Sequence, residues 1–209
     1  MNQTRTLCVL LLILSLPLRG KPYKPIELHR CQTDITAALA KIHSIESDFT
    51  QTKHNALLSN DVVSKGRFYY QTPDKICMQY TTLDYKMVSN GQQLQIMSNG
   101  KQRIVSLKNG GRASAIHDII AGCTTGNFDA LGKNYVCVCF TDDTHYRIRI
   151  EPRNKTVRNY MAYIEITLLK QDARVTSLKI YESGDNFTRY DFTNQRFNQL
   201  TDATPFIIP

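Results

Sequence analysis

Two Asn-Gly dipeptides, Asn90-Gly91 and Asn99-Gly100, stand nine residues apart in this chain. A tight hairpin turn needs backbone with positive φ, and asparagine and glycine tolerate it best. Between and around them lie Tyr85 to Ser89, Gln92 to Ser98 and Lys101 to Leu107, in which apolar and polar residues alternate. Two such turns joined by alternating segments leave no room for a helix and predict an antiparallel meander. The same period of two begins near Asp61 and runs almost to the end. Phe68 and Tyr70 share a face, and Ile76, Met78 and Tyr80 follow a turn at Thr72-Pro73-Asp74. Further on come Tyr135 to Phe140, then Tyr146, Ile148 and Ile150 with Arg147 and Arg149 facing the other way. Ile164, Ile166 and Leu168, then Leu178 and Ile180, then Tyr190 and Phe192 continue the pattern. The last residues, Pro205 to Pro209, read as an edge segment whose prolines blunt further pairing.

Two stretches carry a helical period instead. After a Pro-containing linker at Lys21 to Pro25, apolar residues fall at Leu28, Cys31, Ile35, Leu39, Ile42, Ile45 and Phe49, in steps of three and four. Arg30, Asp34, Lys41, Glu46 and Asp48 occupy the wet face of this predicted helix. Ala113 to Cys123 places Ile116, Ile119, Ile120 and Cys123 on one stripe, with Ser114 as N-cap. A large antiparallel sheet with one apolar face has to curl. The predicted fold is therefore mainly β (α+β): a single curved antiparallel sheet forming an unclosed barrel of roughly ten strands, with two amphipathic helices as a lid. A two-sheet sandwich also fits the alternation, but it gives the two helix stripes no shared seat.

Composition narrows the function by exclusion. Arg5 precedes the apolar run Leu7 to Leu14, and Ser15 to Gly20 forms a processing region, so residues 1–20 read as a cleaved signal peptide and 21–209 as one exported, soluble domain. The run is shorter than the roughly 20 residues of a membrane span. No cysteine follows the processing region directly, so a lipid anchor is not expected. The formal charge is +8, but its lysines and arginines are scattered and form no run, which favours a solvated surface over a nucleic-acid face. Beyond the leader, five cysteines remain: Cys31, Cys77, Cys123, Cys137 and Cys139. An odd number leaves at least one outside any disulfide, and their spacing leaves the pairing open. Cys137-Val-Cys139 has no second cysteine pair or nearby histidine to complete a metal site, and on a strand both side chains share a face as small apolar groups. His29, His43, His54, His117 and His145 lack metal-ligand spacing and read as surface or boundary residues. Asn154-Lys-Thr156 and Asn186-Phe-Thr188 match a glycosylation pattern that matters only in a eukaryotic secretory route. No hydrolase elbow, zinc-protease or phosphate-loop motif is present, so neither catalytic residues nor a cofactor are expected, and the protein reads as a monomeric non-enzyme.

Four short pieces occur in a recognisable order: Ser47-Asp-Phe-Thr-Gln-Thr52, Gly66-Arg-Phe68 with Pro73 beyond it, Val88-Ser-Asn-Gly91, and Phe192-Thr-Asn194 through Asn198 to Phe206. With them the chain resembles the periplasmic outer-membrane lipoprotein carrier family (LolA-like), especially its divergent Bacteroidetes-type members. The resemblance implies an unclosed antiparallel barrel with a helical lid. It also implies a carrier that shields the acyl chains of lipoproteins between an inner-membrane lipoprotein-releasing ABC transporter and an outer-membrane acceptor, with no nucleic-acid partner. Acyl burial is worth about 0.8 kcal/mol per CH₂, so such cargo needs an apolar lining in transit. The lining implied here is Phe49, Phe68, Tyr70, Ile76, Met78, Tyr80, Leu94, Ile96, Ile148, Ile166 and Tyr190, with Ile116, Ile119 and Ile120 beneath the lid. An inward apolar row specifies either filled core or cavity, and alternation alone does not distinguish them. On the cavity reading, Ile96→Glu abolishes loading. Two departures stand out: Thr72 precedes Pro73 where the family has a basic residue that latches the lid, and the chain has no tryptophan. A second reading gives the same fold to a periplasmic sensor that binds lipoproteins without transporting them, and a third to an enzyme acting on lipid.

Overall fold

The computed structural model describes residues 22–109, 112–126, 128, 131–182 and 184–207. The leader expected over residues 1–20 lies outside them. In chain order the elements are β1 (Lys24–Ile26), α1 (Leu28–Leu39), β2 (Ser44–His54), β3 (Val62–Gln71), β4 (Lys75–Tyr80), β5 (Tyr85–Asn90), β6 (Gln93–Ser98) and β7 (Lys101–Ser106). There follow α2 (Arg112–Thr125), β8 (Tyr135–Thr141), β9 (His145–Pro152), α3 (Lys155–Arg158), β10 (Tyr163–Leu169), β11 (Val175–Tyr181) and β12 (Phe187–Phe197). Among the described residues all twelve strands join one antiparallel sheet in the order β1-β8-β9-β10-β11-β12-β2-β3-β4-β5-β6-β7. The ends β1 and β7 do not pair, so the sheet stays an unclosed barrel with helices, as the sequence predicts.

The two strands beyond the predicted ten are β1 and β2. The first helix does not run to Phe49: α1 ends at Leu39, and Ser44–His54 is a strand paired along its length with β3 and β12. Ile42, Ile45 and Phe49 satisfy helical steps, while Ile45, Ser47, Phe49 and Gln51 satisfy period two. Two neighbouring ladders decide in favour of the strand, a case of tertiary pairing overriding local pattern. Part of the expected linker pairs instead as β1, with Lys24 opposite Thr141 on β8. At the other end Thr204–Phe206 is a 3₁₀ turn rather than an edge strand, and Phe206 packs with Cys77 and Val88. Ser114 lies inside α2 rather than capping it.

Both Asn-Gly sites form hairpins, by different turns. Ser98 pairs with Lys101, so Asn99 (φ 50°) and Gly100 (φ 69°) are the central residues of a turn with both φ positive. In the first hairpin Asn90 already pairs with Gln93, and the loop is Gly91-Gln92 with Gly91 at φ 60°. That turn needs glycine only at its first central position.

Several motif residues turn out to be staples around β2. Asn198 Oδ1 accepts from His43 N at 2.6 Å while its Nδ2 donates to Lys41 O at 2.8 Å, closing the connection between α1 and β2. Ser47 donates to Thr193 O at 2.9 Å, and Asn194 donates to Asp48 at 2.9 Å, tying β2 to β12. The two asparagines of the glycosylation pattern have structural work as well. Asn154 caps α3, accepting from Thr156 N at 2.8 Å, and Asn186 accepts from Ala56 N at 2.9 Å.

Helix α1 buries Cys31, Ile35 and Leu39 against the β8–β11 half of the sheet. A disulfide joins Cys31 to Cys139 on β8, so Cys139 is not the plain apolar filler expected of the Cys-Val-Cys strand. Cys77 and Cys123 are buried free thiols. On the outer face Arg147 and Arg149 lie over the rings of Tyr23 and Tyr163, each 3.9 Å from the ring centre.

Gly66 on β3 faces Phe49 on β2, and the Phe49 ring lies directly over it. A Cβ at Gly66 would sit 2.4 Å from Gln79 O and 2.5 Å from Phe49 Cζ. Gly66→Ala is therefore expected to destabilise the protein by about 1–3 kcal/mol through overpacking, read as a lower urea midpoint with unchanged slope.

Candidate functional site

The concave face of β2 to β6 is organised in rows fixed by register. One row runs Leu94, Ser89, Ile76, Tyr70, Ile45, and the next runs Ile96, Met87, Met78, Phe68, Ser47. Helix α2 covers these rows, and its Ile120 packs with the cluster of Phe49, Phe68, Tyr70, Ile76 and Met78. Its C-terminal end is held on α1, where Thr36 Oγ1 donates to Gly126 O at 3.2 Å. Between helix and sheet lies a partly open cavity of about 370 Å³, within the size range typical of small-molecule sites.

Eight residues of the expected lining meet there: Phe68, Ile76, Met78, Tyr80, Leu94, Ile96, Ile166 and Tyr190. The three isoleucines of the lid, Ile116, Ile119 and Ile120, face the same space. Phe49, Tyr70 and Ile148 do not reach it and serve as core. Phe49 is folded down over Gly66 and stacks edge-on with Tyr80 at 5.0 Å and Tyr190 at 5.9 Å. Tyr70 is 1% exposed with its hydroxyl directed at Pro73 O, 3.5 Å away, and Ile148 is fully enclosed in the half of the sheet where α1 sits. The lid over the cavity is chiefly α2, since α1 contributes only Leu39.

Further lining residues escaped the sequence reading: Tyr85 and Met87 on β5, Ile45 on β2, Ser89 and His117. Tyr85, Met87 and Ser89 alternate, and pairing β5 with β4 across the connection at residues 81–84 places Met87 and Ser89 beside Met78 and Ile76. Ile45 was hidden by its assignment to a helix. His117, expected at the surface or boundary, is a boundary residue of α2 with 16% of its side chain exposed, and it lines the cavity.

Polar groups on the lining are few and mostly satisfied within the protein. Ser47 is bonded to Thr193 O, Thr124 to Ile120 O at 3.1 Å, Gln195 to Val175 O at 2.7 Å, and Arg174 to Asp172. Burial pushes the Tyr80 and Tyr85 hydroxyls up, so both stay neutral across the physiological range. The Arg174 side-chain hydrogen bond holds the Asp172 carboxyl below the usual range, which keeps that rim pair ionised. No group of three metal-ligating side chains occurs among the described residues, and no helix there is long and apolar enough to cross a membrane.

An unclosed antiparallel sheet with an apolar cavity roofed by one helix is the architecture of a lidded container. The family model described as outer membrane lipoprotein carrier protein LolA matches residues 40–209, and the chain belongs to that family. No curated protein matches the sequence. Among solved structures the chain is similar to a LolA superfamily protein from Nitrosomonas europaea, at 8% identity and TM-score 0.46 over 84% of this chain and 95% of that one. It is also similar to a DUF1329 family protein from Desulfovibrio piger, at 10% identity and TM-score 0.48 over 87% and 98%. A third is the lipoprotein LppX from Mycobacterium tuberculosis, at 10% identity and TM-score 0.43 over 84% and 97%.

Proposed function

We propose that this protein is a periplasmic carrier that shields lipoprotein acyl chains in the cavity beneath α2 while they pass from the inner to the outer membrane. The observation that carries the reading is the cavity itself, in a chain of the lipoprotein carrier family. Its walls are built from two apolar rows of the sheet and the isoleucine face of a helix, with few polar groups. Phe68, Ile76, Met78, Tyr80, Leu94, Ile96, Ile166 and Tyr190 would contact the chains, beneath Ile116, Ile119 and Ile120. Methionines at positions 78 and 87 suit cargo of varied shape, because an unbranched thioether adapts to irregular partners. The proposed leader, residues 1–20, exports the chain. An inner-membrane releasing transporter hands cargo in, and an outer-membrane acceptor takes it out. The protein supplies burial and no bond-making step.

Opening requires α2 to part from the sheet. With Thr72 before Pro73, the basic latch of the family is missing at that place. The attachments found instead are the packing of Ile120 on the sheet cluster and the hydrogen bond between Thr36 and Gly126. These are neutral contacts, so lid opening is expected to depend little on salt.

Spheroplasts carrying radiolabelled palmitate on their lipoproteins, incubated with purified protein, test the proposal. A stoichiometric soluble complex of carrier and labelled lipoprotein is expected. Label that stays with the spheroplasts at every carrier concentration would rule it out.

A further inference from the structure

Two residues that line the cavity each carry a buried polar atom without a partner, unlike the satisfied groups around them. Ser89 on β5 is 3% exposed, and its Oγ has no hydrogen-bond partner among the described residues. His117 on α2 has a buried Nε2 that is likewise without a partner. Its Nδ1 lies 3.7 Å from Asp118 Oδ1, too long for a hydrogen bond. Both residues line the cavity. Ser89 sits between Ile76 and Leu94 in its sheet row, and His117 follows Ile116 on the lid, so one belongs to each wall.

A desolvated hydroxyl and a desolvated ring nitrogen are costly to leave unmatched. An apolar residue at either position would fill the wall without that cost. The orphaned groups are matched if the occupant brings an acceptor. We infer that Ser89 and His117 anchor the carbonyl groups of an acyl ester or amide, so that the cavity distinguishes acylated ligands from hydrocarbons and ethers of the same length. The Ser89 hydroxyl donates to a carbonyl oxygen. His117 donates from Nε2 in the tautomer that leaves Nδ1 bare. A single carbonyl between the walls accepts from both, and a diacyl ligand offers one to each. Burial of the chain supplies affinity, and the anchor sets how far the chain enters. This inference rests on the reading of the cavity as an acyl-chain container.

The test compares three fluorescent probes on delipidated protein: diphenylhexatriene, which is a pure hydrocarbon, a long-chain polyene ester, and its ether analogue. Wild type is expected to bind the ester about three- to tenfold more tightly than the ether for each hydrogen bond made. Ser89→Ala and His117→Phe are each expected to lose that preference in part, and together entirely, read as the ester-to-ether affinity ratio within each variant. Ser89→Ala without ligand should melt at or above the wild-type temperature, since it removes an unsatisfied group. Equal binding of ester and ether by wild type, or a preference that survives in the double variant, overturns the anchor while leaving the container intact. Failure of the wild type to bind diphenylhexatriene overturns the container reading, and the anchor with it.

Discussion

Met87→Glu is expected to abolish acyl-chain loading while leaving the fold in place. Met87 stands in the middle of a cavity row, paired with Met78 on one side and Ile96 on the other. It is half-buried and lines the cavity, so in the empty protein a carboxylate there keeps contact with water. An entering acyl chain would strip that water away, and an unpaired buried charge costs several kcal/mol. A loss of affinity of at least about 100-fold follows from about 3 kcal/mol. Ile96→Glu, the substitution that the sequence suggests, is a weaker probe. Ile96 pairs directly with Arg103 on β7, whose guanidinium can neutralise a carboxylate at the cavity edge. Circular dichroism should match wild type for both variants, with soluble complex lost for Met87→Glu and reduced for Ile96→Glu. A Met87→Glu protein that loads normally would remove the cavity from the account.

The second large effect concerns α1. The Cys31–Cys139 disulfide closes a loop with a sequence separation of 108 residues and ties the helix to β8. Long loops gain most from closure in the chain-entropy picture, and removing a native disulfide typically costs about 2–5 kcal/mol. Two hydrogen bonds also hold α1: the Tyr146 hydroxyl donates to Asp34 at 2.5 Å, and Thr36 donates to Gly126 O. Burial and that aspartate push the Tyr146 hydroxyl up to about 12, so it keeps its proton, and its role as donor, over the working pH range. Cys31→Ser with Cys139→Ser is expected to lower the urea midpoint by an amount worth about 2–5 kcal/mol, and reduction of the wild type should do the same. An unchanged midpoint would mean that the bridge is not formed in the folded protein.

What the sequence revealed depended on whether the signal was local. The Asn-Gly turns and the alternating rows around them are local, and they located the β3 to β7 meander and most of the cavity wall. The Ser44–His54 strand is illegible in the sequence because Ile45 and Phe49 fit both periods, and only its ladders to β3 and β12 choose between them. Strand β1 is three residues long and contains Pro25, so nothing in its pattern separates it from a linker. In sequence Phe49 reads as lining because it is aromatic and inward. Its partner Gly66 leaves room for the ring to fold down, and that pairing exists only across strands. Ser89 and His117 were missed for the opposite reason. A polar residue on an alternating strand, or beside a helical stripe, looks like surface until the fold places it at a cavity wall.

The most direct measurement of the central claim is native mass spectrometry of the protein recovered from the exported fraction of cells, beside Met87→Glu prepared identically. The wild type is expected to carry a single acylated species per chain, seen as a discrete mass increment that the variant lacks. A bare wild-type spectrum after incubation with acylated lipoprotein, or an increment shared equally by the variant, would contradict a cavity that holds acyl chains.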